Sequence, residues 1–118
     1  KEMTQSLQGQ LEQAQQETQS ISCSELSNLD KENTVFIDVR TKEEFDAGHL
    51  EGAIHMDRGH LEFYVAKDSP NYNPIFNSDK AVVVYCQGGI RSLLAAKLMQ
   101  DMGVKNILNL KEGYVGTL

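Results

Sequence analysis

Tryptophan is absent from this chain of 118 residues, and cysteine and proline occur only twice each. Two cysteines are too few for the disulfide framework of a small secreted scaffold. No apolar run approaches the roughly 18 residues that a membrane-spanning helix needs. Acidic residues outnumber basic ones by 17 to 11. The resulting net charge of −6 argues against nucleic acid or an anionic membrane surface as the main partner.

The length and composition are those of one globular domain. A chain of 118 residues can bury a single core, and its 40% hydrophobic and 24% charged residues are ordinary for a soluble protein. No secretory signal is visible, although the sequence begins with Lys1 rather than Met, so an upstream signal could have been removed. A cytoplasmic location is therefore expected, or a periplasmic one if such a signal was present.

The most informative segment is the loop at residues 86–92, Cys-Gln-Gly-Gly-Ile-Arg-Ser. It follows an apolar run at residues 81–85 that is typical of a buried strand, and it precedes a helical pattern at residues 93–99. The start of a helix presents unpaired N–H groups and the positive end of the helix dipole, which stabilise an anion. We therefore predict that Cys86 is a nucleophile held as a thiolate. A disulfide with Cys23 is not expected, because it would consume this thiol.

The first 20 residues differ in composition from the rest. Seven of the first 19 are glutamine, and apolar residues recur from Met3 to Ala14 at spacings of four, four and three. This spacing predicts a polar helix with a narrow apolar stripe. We interpret residues 1–20 as a helical appendage that is solvated or loosely docked, with a short oligomerisation helix as the alternative. Residues 21–118 form the predicted domain.

From residue 21 onward, short strand and helix patterns alternate. Strands are predicted at residues 35–39, 53–56, 81–85 and 106–110, and helices at residues 22–29, 41–48, 61–67 and 91–102. Capping boxes begin two of these helices, at residues 22–25 and 41–44. The alternation predicts an α/β fold with a parallel sheet covered by helices on both faces. In such sheets the reactive site lies at the carboxyl ends of the strands, where Cys86 is placed.

Four motifs, at residues 36–40, 44–45, 48–54 and 86–92, occur in the order and spacing of the rhodanese signatures. The chain resembles this family from about residue 21 to residue 114. The resemblance implies a doubly wound parallel sheet and a sulfurtransferase, of the single-domain thiosulfate type. The family's cysteine takes a sulfane sulfur from a donor such as thiosulfate, and the persulfide passes it to cyanide or a thiol.

For this chain, the resemblance implies a persulfide on Cys86, with no metal and no organic cofactor. The expected partners are a small-molecule sulfur donor and acceptor or a thiol protein, with no nucleic acid and no membrane. The persulfide is expected to contact N–H groups of the loop residues Gln87, Gly88, Gly89, Ile90, Arg91 and Ser92. A persulfide carrier that serves a protein partner and a non-catalytic interaction domain stay open as alternatives.

The length of the loop bears on its chemistry. Four residues separate Cys86 from Arg91, one fewer than in the related phosphatases and arsenate reductases. The shorter loop favours a single persulfide sulfur over a tetrahedral phosphate. The sequence therefore favours sulfur transfer over phosphoryl chemistry.

Several polar residues near the loop admit more than one role. Arg91 either attracts an anionic donor or ties the loop to Asp38 or Glu44. Ser92 either donates a hydrogen bond to the persulfide or stabilises the first helical turn. Asp38 is interpreted as a loop anchor rather than a general base. Arg40 either anchors the loop or lines the pocket.

The remaining candidates carry weaker signals. Arg58 is a candidate for binding thiosulfate at the mouth of the pocket. His49 matches a family position and is expected to fix a turn. His55 and His60 show no ligand spacing with each other or with the cysteines, so no metal site is predicted.

The C-terminal segment departs from the family pattern, which continues from a strand through two glycines into a helix with a tryptophan. Here Glu112 stands at the place of the first glycine, and no tryptophan is present. Either the closing helix is absent or the sequence has been trimmed. Truncation of the predicted domain at its C-terminus is therefore one of the two interpretations.

Overall fold

The computed structural model describes residues 6–118, so the Met3 end of the predicted apolar stripe lies outside the described residues. The strands are β1 (Gln19–Ile21), β2 (Thr34–Asp38), β3 (Ile54–His55), β4 (Ala81–Tyr85) and β5 (Ile107–Leu110). The helices are α1 (Leu7–Glu17), α2 (Lys42–Ala47), α3 (Leu61–Val65) and α4 (Ile90–Asp101). Short 3₁₀ helices form at Cys23–Asn28, Lys31–Asn33, Arg58–His60, Pro74–Asn77 and Tyr114–Thr117. Within residues 6–118, no helix has the length and apolarity needed to cross a membrane.

The five strands form one parallel sheet in the order β1-β5-β4-β2-β3. The central strand β4 lies in register with β2, from Thr34 opposite Ala81 to Asp38 opposite Tyr85. The two strands therefore end side by side, which brings the residues that follow them to the same edge of the sheet. The predicted parallel α/β sheet is confirmed.

Side chains alternate between two buried faces of the sheet, as strand geometry requires. Ile37 and Val84 pack on the first face, together with apolar residues of α3 and α4. Val83 and Tyr85 pack on the second face, which 3₁₀ helices and the turn before β3 cover. Because both faces are covered, β4 is an almost continuous apolar run.

Both predicted capping boxes are present, although they begin different kinds of helix. Thr41 Oγ1 accepts a hydrogen bond from Glu44 N–H, and α2 ends before Gly48, as expected. Ser22 and Glu25 form the other box, but a 3₁₀ helix of six residues follows it instead of an α-helix. This segment ends in the extended Leu29, and its leucines pack on the second face. A short 3₁₀ helix is therefore enough to cover this part of the second face, and no full α-helix forms.

The N-terminal segment is more closely joined to the domain than a solvated appendage would be. Ala14 of α1 is fully buried, and Gln100 Nε2 of α4 donates a hydrogen bond of 2.6 Å to the carbonyl of Glu17. Strand β1 pairs with β5, with Ser20 opposite Asn109. The predicted boundary at residue 20 therefore falls inside β1, and α1 lies against α4, which is the docked form of the predicted appendage.

Candidate active site

Cys86 lies at the carboxyl edge of the sheet, between the end of β4 and the first turn of α4. Gly89 is the N-cap of α4 and has a φ of 97°, a left-handed conformation that glycine adopts most readily. A Cβ atom at this position would also collide with the carbonyl oxygen of Lys111. The chain therefore needs glycine here to turn from the strand into the helix.

Three hydrogen-bond donors converge on the Cys86 sulfur. The N–H groups of Gly89 and Ser92 lie 3.1 and 3.3 Å from Sγ, and the Ser92 hydroxyl lies 3.3 Å from it. Cys86 itself is 2% exposed. Burial opposes ionisation, but the hydrogen bonds from Ser92 and Gly89, with a smaller contribution from the nearby Gly88 N–H, outweigh it and lower the pKa of the Cys86 thiol. This arrangement can hold a thiolate at the start of α4.

The segment after β5 supports the loop from behind. Tyr114 N–H donates to the carbonyl of Cys86 at 2.8 Å, and Val115 N–H donates to the carbonyl of Gln87 at 3.2 Å. A side chain at the buried Gly113 would collide with the Gln87 carbonyl. Glu112, at the first glycine's place, is exposed, and its carboxylate accepts a bond of 2.6 Å from Cys23 N–H. The departure from the family pattern therefore leaves the loop support intact.

Asp38 and Arg40 form a buried anchor on the second face of the sheet. The carboxylate accepts bonds of 2.8 to 3.1 Å from Arg40 Nε and Nη2, and Arg40 is 2% exposed. The guanidinium also donates to the Gly48 carbonyl at 2.7 Å and to Gln87 Oε1 at 2.9 Å. It lies over the Tyr114 ring, 4.5 Å from the centroid. Arg40 thus joins three segments of chain. The contacts of Asp38 and Arg40 are those expected of residues that anchor a loop.

The Arg91 side chain contacts an acidic residue, which is the second of the two roles considered for it, and that residue is Glu44. Its Nη1 and Nη2 donate bonds of 2.8 and 3.0 Å to the two carboxylate oxygens of Glu44, while Asp38 is occupied by Arg40. The hydrogen bonds from Arg91 hold the pKa of Glu44 at about 2. The loop is therefore tied to the start of α2.

Arg58 is placed near the same edge, but its side chain does not join the loop. Its N–H donates to the carbonyl of Val39 at 3.0 Å, and its guanidinium pairs with Glu62 at 3.2 Å. It borders a cleft of about 370 Å³ that Gln10 and Lys97 also line and to which residues 86–92 do not contribute. Contact between Arg58 and a sulfur donor stays a prediction.

The histidines and the second cysteine have structural contacts. His49 Nδ1 bonds the carbonyl of Phe45 at 2.7 Å, and His55 Nε2 bonds the carbonyl of Arg40 at 2.7 Å. Cys23 and Cys86 are both free thiols. Burial raises the pKa of the Cys23 thiol, and the Glu112 carboxylate raises it further. The two thiols are therefore shifted in opposite directions.

The sequence indicated the loop but not its supports. The bonds that Tyr114 donates to Cys86 and that Arg40 donates to Gln87 join positions far apart in the chain, and no local pattern marks them. Gly113 carried a usable signal, because a glycine after a predicted strand often marks close backbone approach.

A family model for the rhodanese-like domain matches residues 22–117. This chain belongs to the rhodanese-like family. The expected resemblance is thereby confirmed, and it covers all the residues that contact Cys86 and Arg91 in the candidate site.

Relatives of this rhodanese-like chain carry different names. A tRNA uridine(34) hydroxylase of Photorhabdus laumondii is 32% identical over 87 residues, which cover 74% of this chain and 24% of that protein. A human single-domain sulfurtransferase is 26% identical, with a TM-score of 0.69 and coverage of 82% and 92%. A Rhodopseudomonas palustris protein of unknown function, described as a "possible tyrosine phosphatase", is 33% identical, with a TM-score of 0.91 and coverage of 99% and 92%. The chain thus spans about a quarter of the curated relative's length.

Proposed function

We propose that this rhodanese-like domain is a sulfurtransferase that moves a sulfane sulfur from thiosulfate, or a similar donor, through a persulfide on Cys86. The observation that carries the proposal is the set of three donors at 3.1 to 3.3 Å from a buried sulfur. Such fixed donors stabilise negative charge without reorganisation during the reaction. They would serve the thiolate first and the terminal persulfide sulfur afterwards.

The reaction proceeds in two displacements. The Cys86 thiolate attacks the outer sulfur of thiosulfate, a new S–S bond forms, and sulfite leaves with the electron pair of the broken S–S bond. Cyanide or a thiolate then attacks the terminal sulfur, and Cys86 leaves as the thiolate. Ping-pong kinetics follow, because the first product departs before the acceptor binds.

Phosphoryl transfer, suggested by the name of one structural relative, has less support. A phosphatase of this loop type needs a cationic group free to bind phosphate. Here the Arg91 guanidinium donates to both oxygens of Glu44, and this carboxylate offsets its positive charge. The net charge of −6 likewise disfavours a tRNA partner for this chain by itself.

A persulfide carrier for a protein acceptor is the second candidate. One observation favours it: Ile90, four residues after the nucleophile, is 55% exposed. Single exposed apolar side chains are ordinary on protein surfaces, so it is the place of Ile90 in the loop that holds Cys86 that would bring it into contact with a protein acceptor. Turnover that is slow with cyanide and accelerated by a protein thiol would select this candidate.

Intact-mass measurement after thiosulfate treatment tests the proposal. The wild-type protein should gain about 32 Da, the mass of one sulfur atom, on Cys86. The Cys86→Ser variant should gain nothing, whereas Cys23→Ser should gain the same mass as the wild type. A wild-type protein that stays unmodified, or a sulfur found on Cys23, would refute the assignment.

A further inference from the structure

Asn109 of β5 is a buried polar residue beneath the active-site loop. It is 3% exposed, and its Nδ2 donates a hydrogen bond of 3.3 Å to the carbonyl of Gly89. Its Oδ1 is buried and has no hydrogen-bond partner among residues 6–118. Burying an unpaired carbonyl oxygen costs free energy, so asparagine is a poor choice if this side chain only fills space.

The group that Asn109 holds belongs to the residue that contacts the nucleophile. The carbonyl of Gly89 accepts the Asn109 bond, while the N–H of the same residue donates to Cys86 Sγ at 3.1 Å. Gly89 has no side chain to restrict its rotation and is held at φ 97° and ψ −5°. The N–H and the carbonyl of Gly89 lie in two peptide planes that are joined by φ and ψ. A bond that fixes the carbonyl therefore limits the values of φ and ψ, and with them the direction of the N–H group.

We propose that Asn109 is a positioning residue for Cys86, which holds Gly89 so that its N–H group points at the sulfur. This inference rests on the proposed role of Cys86 as the nucleophile. It adds a residue outside the loop, on a different strand, to the groups that prepare the thiolate.

If Asn109 only supported the fold, replacing it would leave the alkylation midpoint of Cys86 unchanged. The Gly89 carbonyl also accepts a bond of 3.2 Å from Leu93 N–H, so it keeps a partner when Asn109 is replaced. Asn109 faces the Ser20 position of β1 in the sheet, and that register depends on backbone pairing. An apolar side chain of similar size would leave no group unpaired and would remove the unpaired Oδ1.

The test is the pH dependence of Cys86 alkylation by iodoacetamide in the Asn109→Leu variant, with Cys23→Ser as the background. The midpoint should rise by about one pH unit, which makes alkylation about tenfold slower at pH values below both midpoints. The melting temperature should be equal to or higher than that of the parent. Charged groups beside the loop, namely Arg91 with Glu44 and Asp38, are unchanged by this substitution.

Ile107→Val is the matched control, because Ile107 lies on the same strand and packs in the buried core. It should lower the melting temperature and leave the alkylation midpoint unchanged. Asn109→Ala removes the same hydrogen bond without a risk of overpacking, and its midpoint should also rise. A wild-type midpoint in either folded Asn109 variant would overturn the proposal.

Failure of both Asn109 variants to fold would assign the residue to the core and would likewise overturn it. Alkylation involves no sulfur transfer, so the two proposals fail separately. A protein that shows the shifted midpoint but never gains sulfur would refute the sulfurtransferase and leave Asn109 as a positioning residue.

Discussion

Arg91 and Glu44 form a bidentate ion pair of 2.8 and 3.0 Å between the first turns of α4 and α2. The two terminal guanidinium nitrogens each donate to a different carboxylate oxygen, a geometry stronger and more specific than a single contact. Glu44 Oε1 also accepts the N–H of Thr41 at 3.1 Å, which closes the capping box of α2. One carboxylate thus serves the local start of a helix and the placement of the active-site loop.

The ion pair should make stability depend on pH in the acid range. The pKa of Glu44 is about 2 in the folded protein, against about 4.3 in an unfolded chain. The contribution is therefore complete above the unfolded value and is lost as the pH falls through about 2. We expect Glu44→Gln to cost about 0.5–1 kcal/mol near neutral pH, because the pair is partly exposed. The difference in melting temperature from the wild type should shrink between pH 5 and about pH 2.

Asp46→Asn is the control for this measurement, since it removes an exposed pair with Lys42 on the same helix. Its effect on the melting temperature should be small at every pH. A Glu44→Gln deficit that stays constant down to pH 2 would contradict the assigned ionisation of Glu44.

The hydroxyl of Ser92 should contribute to the lowering of the pKa of the Cys86 thiol. It is fully buried and lies 3.3 Å from Sγ. Ser92→Ala removes this donor and leaves the backbone N–H in place, so the alkylation midpoint of the Cys86 thiol should rise by about one unit. Ser24→Ala, which removes an exposed hydroxyl bonded to Ser22, should leave the midpoint unchanged. An unchanged midpoint in Ser92→Ala would mean that backbone donors alone set the pKa.

The two glycines of the loop should respond differently to alanine. At Gly89 a Cβ atom would meet the Lys111 carbonyl, and φ is 97°. At Gly88 an added Cβ atom would have no atom of residues 6–118 within 4 Å apart from those of Gly88 itself and its two chain neighbours. Gly89→Ala should lower the free energy of unfolding by about 2 kcal/mol or more, and sulfur uptake from thiosulfate should fall at least about tenfold. Gly88→Ala should change the free energy of unfolding by less than about 0.5 kcal/mol. Denaturant unfolding measures the difference, and equal losses in both variants would contradict the strain at Gly89.

Local signals in the sequence were sufficient for the central strands and for the place of Cys86 between β4 and α4. The apolar runs that became β2 and β4 bury both faces, and the loop after β4 carries its own glycines. β1 could not be predicted, because three residues with one buried side chain form a strand only when β5 lies beside them. The Asn109 contact has the same origin, since it joins residues 20 positions apart through the fold of α4 on the sheet.

Some choices between roles also required the structure. Arg91 had either Asp38 or Glu44 as an available partner, and the sequence contains no measure of distance between them. The structure resolves the choice because Arg40 already occupies the Asp38 carboxylate and packs on Tyr114. A buried arginine two residues after a strand aspartate gives no periodic pattern that would reveal this contact.

Lengthening the loop should change its chemistry. Insertion of one glycine between Gly89 and Ile90 would move the start of α4 away from the sulfur and widen the cradle, whose donors now lie at 3.1 to 3.3 Å. We expect transfer of sulfur from thiosulfate to cyanide to fall at least about tenfold, because the stabilising contacts require close approach. The wild-type protein should hydrolyse p-nitrophenyl phosphate negligibly, and any gain in the insertion variant should be weak, since a general acid is also needed. Parallel assays of both reactions, with Tm as the control for folding, measure the change. A wild-type protein that proves a competent phosphatase and forms no persulfide would reverse the order of the two candidate chemistries.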